Sequence, residues 1–86
     1  MTYKITVVGL GYVGLPLAIE FSRVASVVGY DLSPHRVDEL NSLQDKTNEC
    51  SPDQLEEFFE RDGKFSSDDR EIQDSDVFIV TVPTPI

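Results

Sequence analysis

The chain has one cysteine and one histidine in 86 residues. A single cysteine rules out an internal disulfide framework and a four-cysteine zinc site. A single histidine rules out the two-histidine zinc motifs, so no metal site is expected. Basic residues are scarce, with seven Lys and Arg against 16 Asp and Glu and a net charge of −9. A general nucleic-acid binder needs cations to displace phosphate counterions, so this balance argues against that class. Long apolar runs are missing too. Residues 5–19 are uncharged but hold three glycines and a proline, and the run falls short of the roughly 20 residues a spanning helix needs. It lies behind Lys4, where a secretory signal would carry its apolar region. The glycines, and Glu20 and Arg23 directly after it, favour a cytoplasmic chain instead. A lone cysteine suits a reducing compartment. With 40% apolar and 27% charged residues the composition is globular, and the length allows one domain at most.

Charge is unevenly spread. Residues 31–76 carry nearly all of the acid, and residues 77–86 carry no charge. The apolar ends are therefore expected to form the core, with the middle as a solvated shell. Residues 5–8 are β-branched throughout and read as a buried strand. Val13, Leu17, Phe21 and Val24 recur at helical spacing, predicting a helix over about 13–23 with Pro16 in its first turn. Residues 27–30 form a second strand, ended by Asp31. Ser33-Pro34 and Ser51-Pro52-Asp53 are helix starts. Val37, Leu40 and Leu43 give the first of these helices its apolar stripe, and Leu55, Phe58 and Phe59 the second. Gly63 reads as the C-terminal cap. Residues 64–66 are a candidate edge strand, 68–73 a short helix or turn, and 77–82 an apolar strand stopped by Pro83 and Pro85. This alternation predicts an α/β fold. It is a Rossmann-like, doubly wound parallel sheet, partial, with four strands in the order 3-2-1-4.

Gly9-Leu10-Gly11-Tyr12-Val13-Gly14 matches G-x-G-x-x-G, placed between a strand and an amphipathic helix. Gly9 permits the tight turn, Gly11 lets a pyrophosphate approach the backbone, and Gly14 lets helix and strand pack closely. Amides around Tyr12 and Val13 then face the phosphates, aided by the helix dipole. An acidic protein can thus hold an anionic cofactor without a lysine. Asp31 ends the second strand, where a carboxylate accepts hydrogen bonds from the adenosine ribose and repels a 2′-phosphate. The cofactor expected is NAD rather than NADP. Arg36 reads as lying along the adenine or ribose side. The plainer role for Asp31 is to cap the helix starting near Ser33.

Residues 4–18, Val28-Gly29-Tyr30-Asp31 with Arg36-Val37, and Val80-Thr81-Val82-Pro83-Thr84-Pro85 together resemble the UDP-glucose/GDP-mannose dehydrogenase family. Asp45-Lys46-Thr47-Asn48-Glu49 before a Ser-Pro-Asp helix start is most similar to its UDP-N-acetylhexosamine, Vi-antigen type, branch. The resemblance implies NAD-dependent oxidation of the C6 alcohol of a nucleotide sugar to a carboxylate, for polysaccharide precursor synthesis, in a homo-oligomeric enzyme. It implies cofactor contacts at Tyr12, Val13, Asp31, Arg36 and Thr84. It also implies that residues 1–86 open the NAD-binding domain, with the catalytic cysteine, lysine and asparagine in segments this chain lacks, so that it is inactive alone. Cys50 is not that cysteine, for it lacks a glycine-rich turn and a nearby base. His35, Glu56-Glu57 and Asp68-Asp69 read as solvated surface. A non-catalytic NAD-sensing module would use the same glycine turn and acid. A chain that only packs or dimerises through an exposed last strand is the third reading.

Overall fold

The β-branched run after Lys4 finds parallel partners on both sides. The computed structural model describes residues 3–81. Strand β1 (Lys4–Val8) pairs with β2 (Ser26–Tyr30) and with β4 (Val77–Val80), and β2 pairs with β3 (Lys64–Ser66). All pairings are parallel, in the order β3-β2-β1-β4. That is the order the alternation of elements predicts. It requires crossovers, supplied by α1 (Gly14–Phe21) and by α2 (Pro34–Asn41) with α3 (Pro52–Glu60). A four-residue 3-10 helix, Asp69–Ile72, lies on the way to β4.

Side chains alternate across a strand, so Ile5, Val7 and Val27 share one face. They form one core with Leu15, Ala18 and Ile19 of α1, Val37 and Leu40 of α2, and Leu55 and Phe58 of α3. The Phe58 ring stacks on Phe65 of β3 with centroids 4.5 Å apart. Burial of a ring of this size stabilises by about 2–3 kcal/mol. The acidic middle therefore supplies about half of the core. The uncharged end does not bury as expected, because β4 is an edge strand whose Val77, Phe78 and Val80 stay exposed.

The inward face of α1 also differs from the expected one. Leu15, Ala18 and Ile19 are buried, while Val13 and Val24 are exposed and lie outside the helix. Nearly every residue of α1 is apolar, so periodicity leaves its rotation open. Contact of Gly14 with the preceding turn sets it.

The two serine starts form as read. Ser33 accepts the Arg36 N–H, and Ser51 and Gln54 cap each other reciprocally. At the end of α3, however, Asp62 and not Gly63 takes the left-handed conformation, with φ +63°. The Gly63 N–H bonds Phe58 O and the Asp62 N–H bonds Phe59 O, the two bonds of a Schellman end. Gly63 is glycine for another reason: a Cβ there would lie 2.6 Å from the Phe58 ring.

Candidate functional site

Parallel strands bring all their carboxyl ends to one edge, and ligands of such sheets bind where the strand order reverses. Here that point lies between β1 and β4, and the glycine turn sits on it. Gly9 has φ +96°, in the left-handed region open to glycine. Its N–H donates to Tyr30 O at 2.8 Å. Thr81 closes the other side, its hydroxyl donating to Gly9 O at 2.9 Å and its N–H to Val8 O at 2.9 Å. A Cβ on Gly14 would overlap Gly9 O, so α1 starts hard against the turn. Gly11 is different, since a Cβ there would meet nothing within 4 Å. Packing within the protein does not require that glycine, and the space beside it is open.

The amides of Gly11, Tyr12 and Val13 have no acceptor among the described residues. Val13, at the helix N-cap, offers no side-chain cap, and the first turn of α1 holds no acid. Unpaired amides and an uncompensated positive dipole end suit an anion such as a pyrophosphate. The Tyr12 and Val13 side chains are exposed beside them.

Asp31 follows β2 directly and uses both oxygens. Oδ2 accepts the Leu10 N–H at 2.9 Å and Oδ1 the Ser33 N–H at 2.9 Å. It therefore anchors the turn and the entry to α2 together, and the Ser33 hydroxyl does the capping. A carboxylate oxygen has two lone pairs, so each keeps one for a ligand hydroxyl. Arg36 meets the same residue from the other side, its Nε donating to Leu10 O at 2.8 Å. Its Nη1 is shared by Glu39 at 3.0 Å and Asp45 at 2.9 Å. The structure thus joins Gly9, Gly11, Tyr12, Val13, Gly14, Asp31 and Arg36 at one edge. Thr84 lies outside the described residues.

Sequence reasoning missed Thr81, Glu39 and Asp45. Asp45 is the centre of the loop before α3. It accepts from the Thr47 N–H and hydroxyl, the Glu49 N–H and the Cys50 N–H. Burial pushes its carboxyl up, but the bonds from Thr47, Cys50 and Arg36 outweigh this and hold it below the ordinary value. The signal available was Asp45-Lys46-Thr47, an aspartate poised to bond the backbone two residues on.

Cys50 is buried in the core. Burial, with the Asp45 and Glu49 charges added, pushes its thiol up to about 11, away from the thiolate form a nucleophile needs. His35 is exposed, its ring nitrogen 3.2 Å from Lys46 Nζ. Asp68 caps the 3-10 helix and pairs with Arg70 on the surface. No metal-binding cluster occurs among the described residues. A depression of about 520 Å³ lined by Lys4, Ser26, Lys64 and Arg70 lies at the amino ends of the strands, away from the turn.

Comparison with known proteins agrees with this fold. Residues 3–86 match the model of the UDP-glucose/GDP-mannose dehydrogenase family, NAD binding domain. The chain is 49% identical over 83 residues to UDP-N-acetyl-D-glucosamine 6-dehydrogenase of Pseudomonas aeruginosa, covering 96% of this chain and 19% of the relative. It is 45% identical to the protein of that name in Salmonella typhi, again over 96% of this chain and 19% of the relative. Its structure superposes on UDP-D-ManNAc dehydrogenase of Pyrococcus horikoshii with TM-score 0.86 and 35% identity, over 96% of this chain and 21% of that one. A ternary complex of GDP-mannose dehydrogenase from Pseudomonas aeruginosa gives 0.82 and 30%, over 94% and 20%. The chain spans about a fifth of the length of these relatives.

Proposed function

This chain belongs to the UDP-glucose/GDP-mannose dehydrogenase family, in its NAD binding domain, and from that premise we propose that its residues open the cofactor domain of a nucleotide-sugar 6-dehydrogenase. The enzyme oxidises the C6 alcohol of a UDP-hexose or UDP-N-acetylhexosamine to the carboxylate, for polysaccharide precursor synthesis. One observation carries the cofactor half of this reading: three turn amides with no acceptor among the described residues stand at the start of α1, beside the carboxylate that ends β2. Gly11, Tyr12 and Val13 hold the pyrophosphate, and Asp31 orients the adenosine ribose through its remaining lone pairs. Gly9, Gly14 and Thr81 fix the turn, and Arg36 steadies it from beneath. NAD, when bound, supplies the hydride acceptor. The relatives named UDP-N-acetyl-D-glucosamine 6-dehydrogenase support the acetylated hexose.

The enzyme is read as a cytoplasmic homo-oligomer. Among the described residues no helix is long and apolar enough to cross a membrane. The uncharged, exposed edge of β4 supports coverage by further strands or a second copy. The test is NADH formation by the full-length protein with NAD and a panel of nucleotide sugars. Alcohol to carboxylate removes four electrons, so two NADH per sugar are expected. Failure of every nucleotide sugar to reduce NAD, with NAD still binding, would favour a sensing module instead.

A further inference from the structure

Arg36 reaches the same residue as Asp31, yet acids occupy it. Its Nε bonds the carbonyl of Leu10, whose N–H is held by the Asp31 carboxylate. Its Nη1 is shared by Glu39 and Asp45, whose side chains are only 6% and 1% exposed. Its Nη2 is buried with no partner among the described residues. Two buried carboxylates on one guanidinium leave that cluster with one net negative charge, and Asp31 adds a second. In sheets of this kind an arginine near the ribose carboxylate is the group that accommodates a 2′-phosphate. Here the charge that would attract a phosphate is already matched within the protein. Bonds from Thr47, Glu49 and Cys50 hold Asp45 in place from its other side. Glu39 is likewise fixed, accepting the Lys46 N–H at 2.6 Å.

We propose that Glu39 and Asp45 are specificity-determining residues: by neutralising Arg36 they deny a 2′-phosphate its partner and reserve the site for NAD. The inference rests on the reading that Asp31 faces the adenosine ribose, and it assigns part of the selectivity to two acids that need not touch the cofactor. Removing either charge leaves the guanidinium matched by one acid instead of two, so the cluster no longer carries a net negative charge against an incoming phosphate.

The test is calorimetric titration of the full-length protein with NAD and, separately, with NADP. The wild type is expected to bind NAD and to bind NADP more weakly. Glu39→Gln removes the charge and keeps an acceptor for the Lys46 N–H. It is expected to shrink the ratio of the two affinities about tenfold, the size of one lost charge interaction. The gain comes from tighter NADP binding, which general structural damage would not produce. Asp45→Asn carries the same comparison independently should the first variant lose its fold. Adding Arg36→Gln to either variant is expected to restore the wild-type ratio. An unchanged ratio in folded Glu39→Gln and Asp45→Asn, with NAD still bound, overturns the inference alone, as does a shift that survives loss of Arg36. A wild-type protein that binds neither dinucleotide overturns the reading of the Asp31 site itself, and the inference with it.

Discussion

Asp31 accepts the Leu10 N–H through Oδ2 at 2.9 Å, across 21 residues of sequence. Leu10 is fully buried, so this bond satisfies an amide that water does not reach. Asp31→Ala leaves that donor unpaired and is expected to cost about 1–3 kcal/mol. Chemical denaturation measures this. NAD affinity is expected to fall by at least about tenfold on the proposed role, since each tenfold is about 1.4 kcal/mol. A variant equally stable and equally able to bind NAD would contradict both roles.

The glycines of the turn separate fold from function. Gly14→Ala drives a Cβ into the Gly9 carbonyl, which is backbone and cannot rotate away. Loss of about 3 kcal/mol or more is expected, the range reached by severe overpacking. Gly11→Ala meets nothing within 4 Å, so stability is expected to stay within about 0.5–1 kcal/mol. NAD binding by that variant is nevertheless expected to drop, because the methyl occupies the approach to the turn amides. Melting temperature and NAD titration, measured side by side, check the pair.

Asp62 sits exposed at φ +63° after α3. Asp62→Gly relieves that conformation and removes a negative charge from the negative end of the helix dipole. A gain of about 0.5–1 kcal/mol is expected, read as a higher denaturant midpoint.

The Asp45 carboxyl is held below its ordinary value in the folded chain. Folding therefore favours its ionised form. The stability it contributes is complete above about pH 4, the unfolded carboxylate range, and drains away as pH falls through the lower folded value. Denaturation midpoints of wild type and Asp45→Asn are expected to converge as the pH drops below about 4. Midpoints that stay equally far apart down to the acid limit would remove the charge from this account.

Burial and two nearby acids push the Cys50 thiol up to about 11. At pH 8 only about a thousandth of it is thiolate, the reactive form. Alkylation of the native protein is expected to be slow, and to accelerate sharply once denaturant opens the core. Rapid native labelling would show the thiol to be accessible.

Much of this site was legible in the sequence because its chemistry is local. The glycine spacing, Ser33-Pro34 and Ser51-Pro52 act within a few residues, through backbone freedom and side-chain caps. The strand order followed from the alternation of elements. Asp45 and Glu39 were not legible, because each acts through Arg36, and an acidic residue in an acidic stretch looks like solvated surface. Thr81 was passed over because only strand pairing brings its hydroxyl to Gly9 O.

The sequence by itself determined the glycine turn and the two serine helix starts, since those preferences are set by φ, by missing N–H groups and by nearest-neighbour hydrogen bonds. Only the tertiary structure decided which face of α1 turns inward, that Asp62 rather than Gly63 goes left-handed, and that the apolar β4 lies at an edge while the acidic middle fills the core. Those outcomes depend on where surfaces meet, as when Leu40 and Leu55 join Val7 in one core and β4 pairs with β1 alone. Contacts between residues far apart along the chain leave no periodic trace in it.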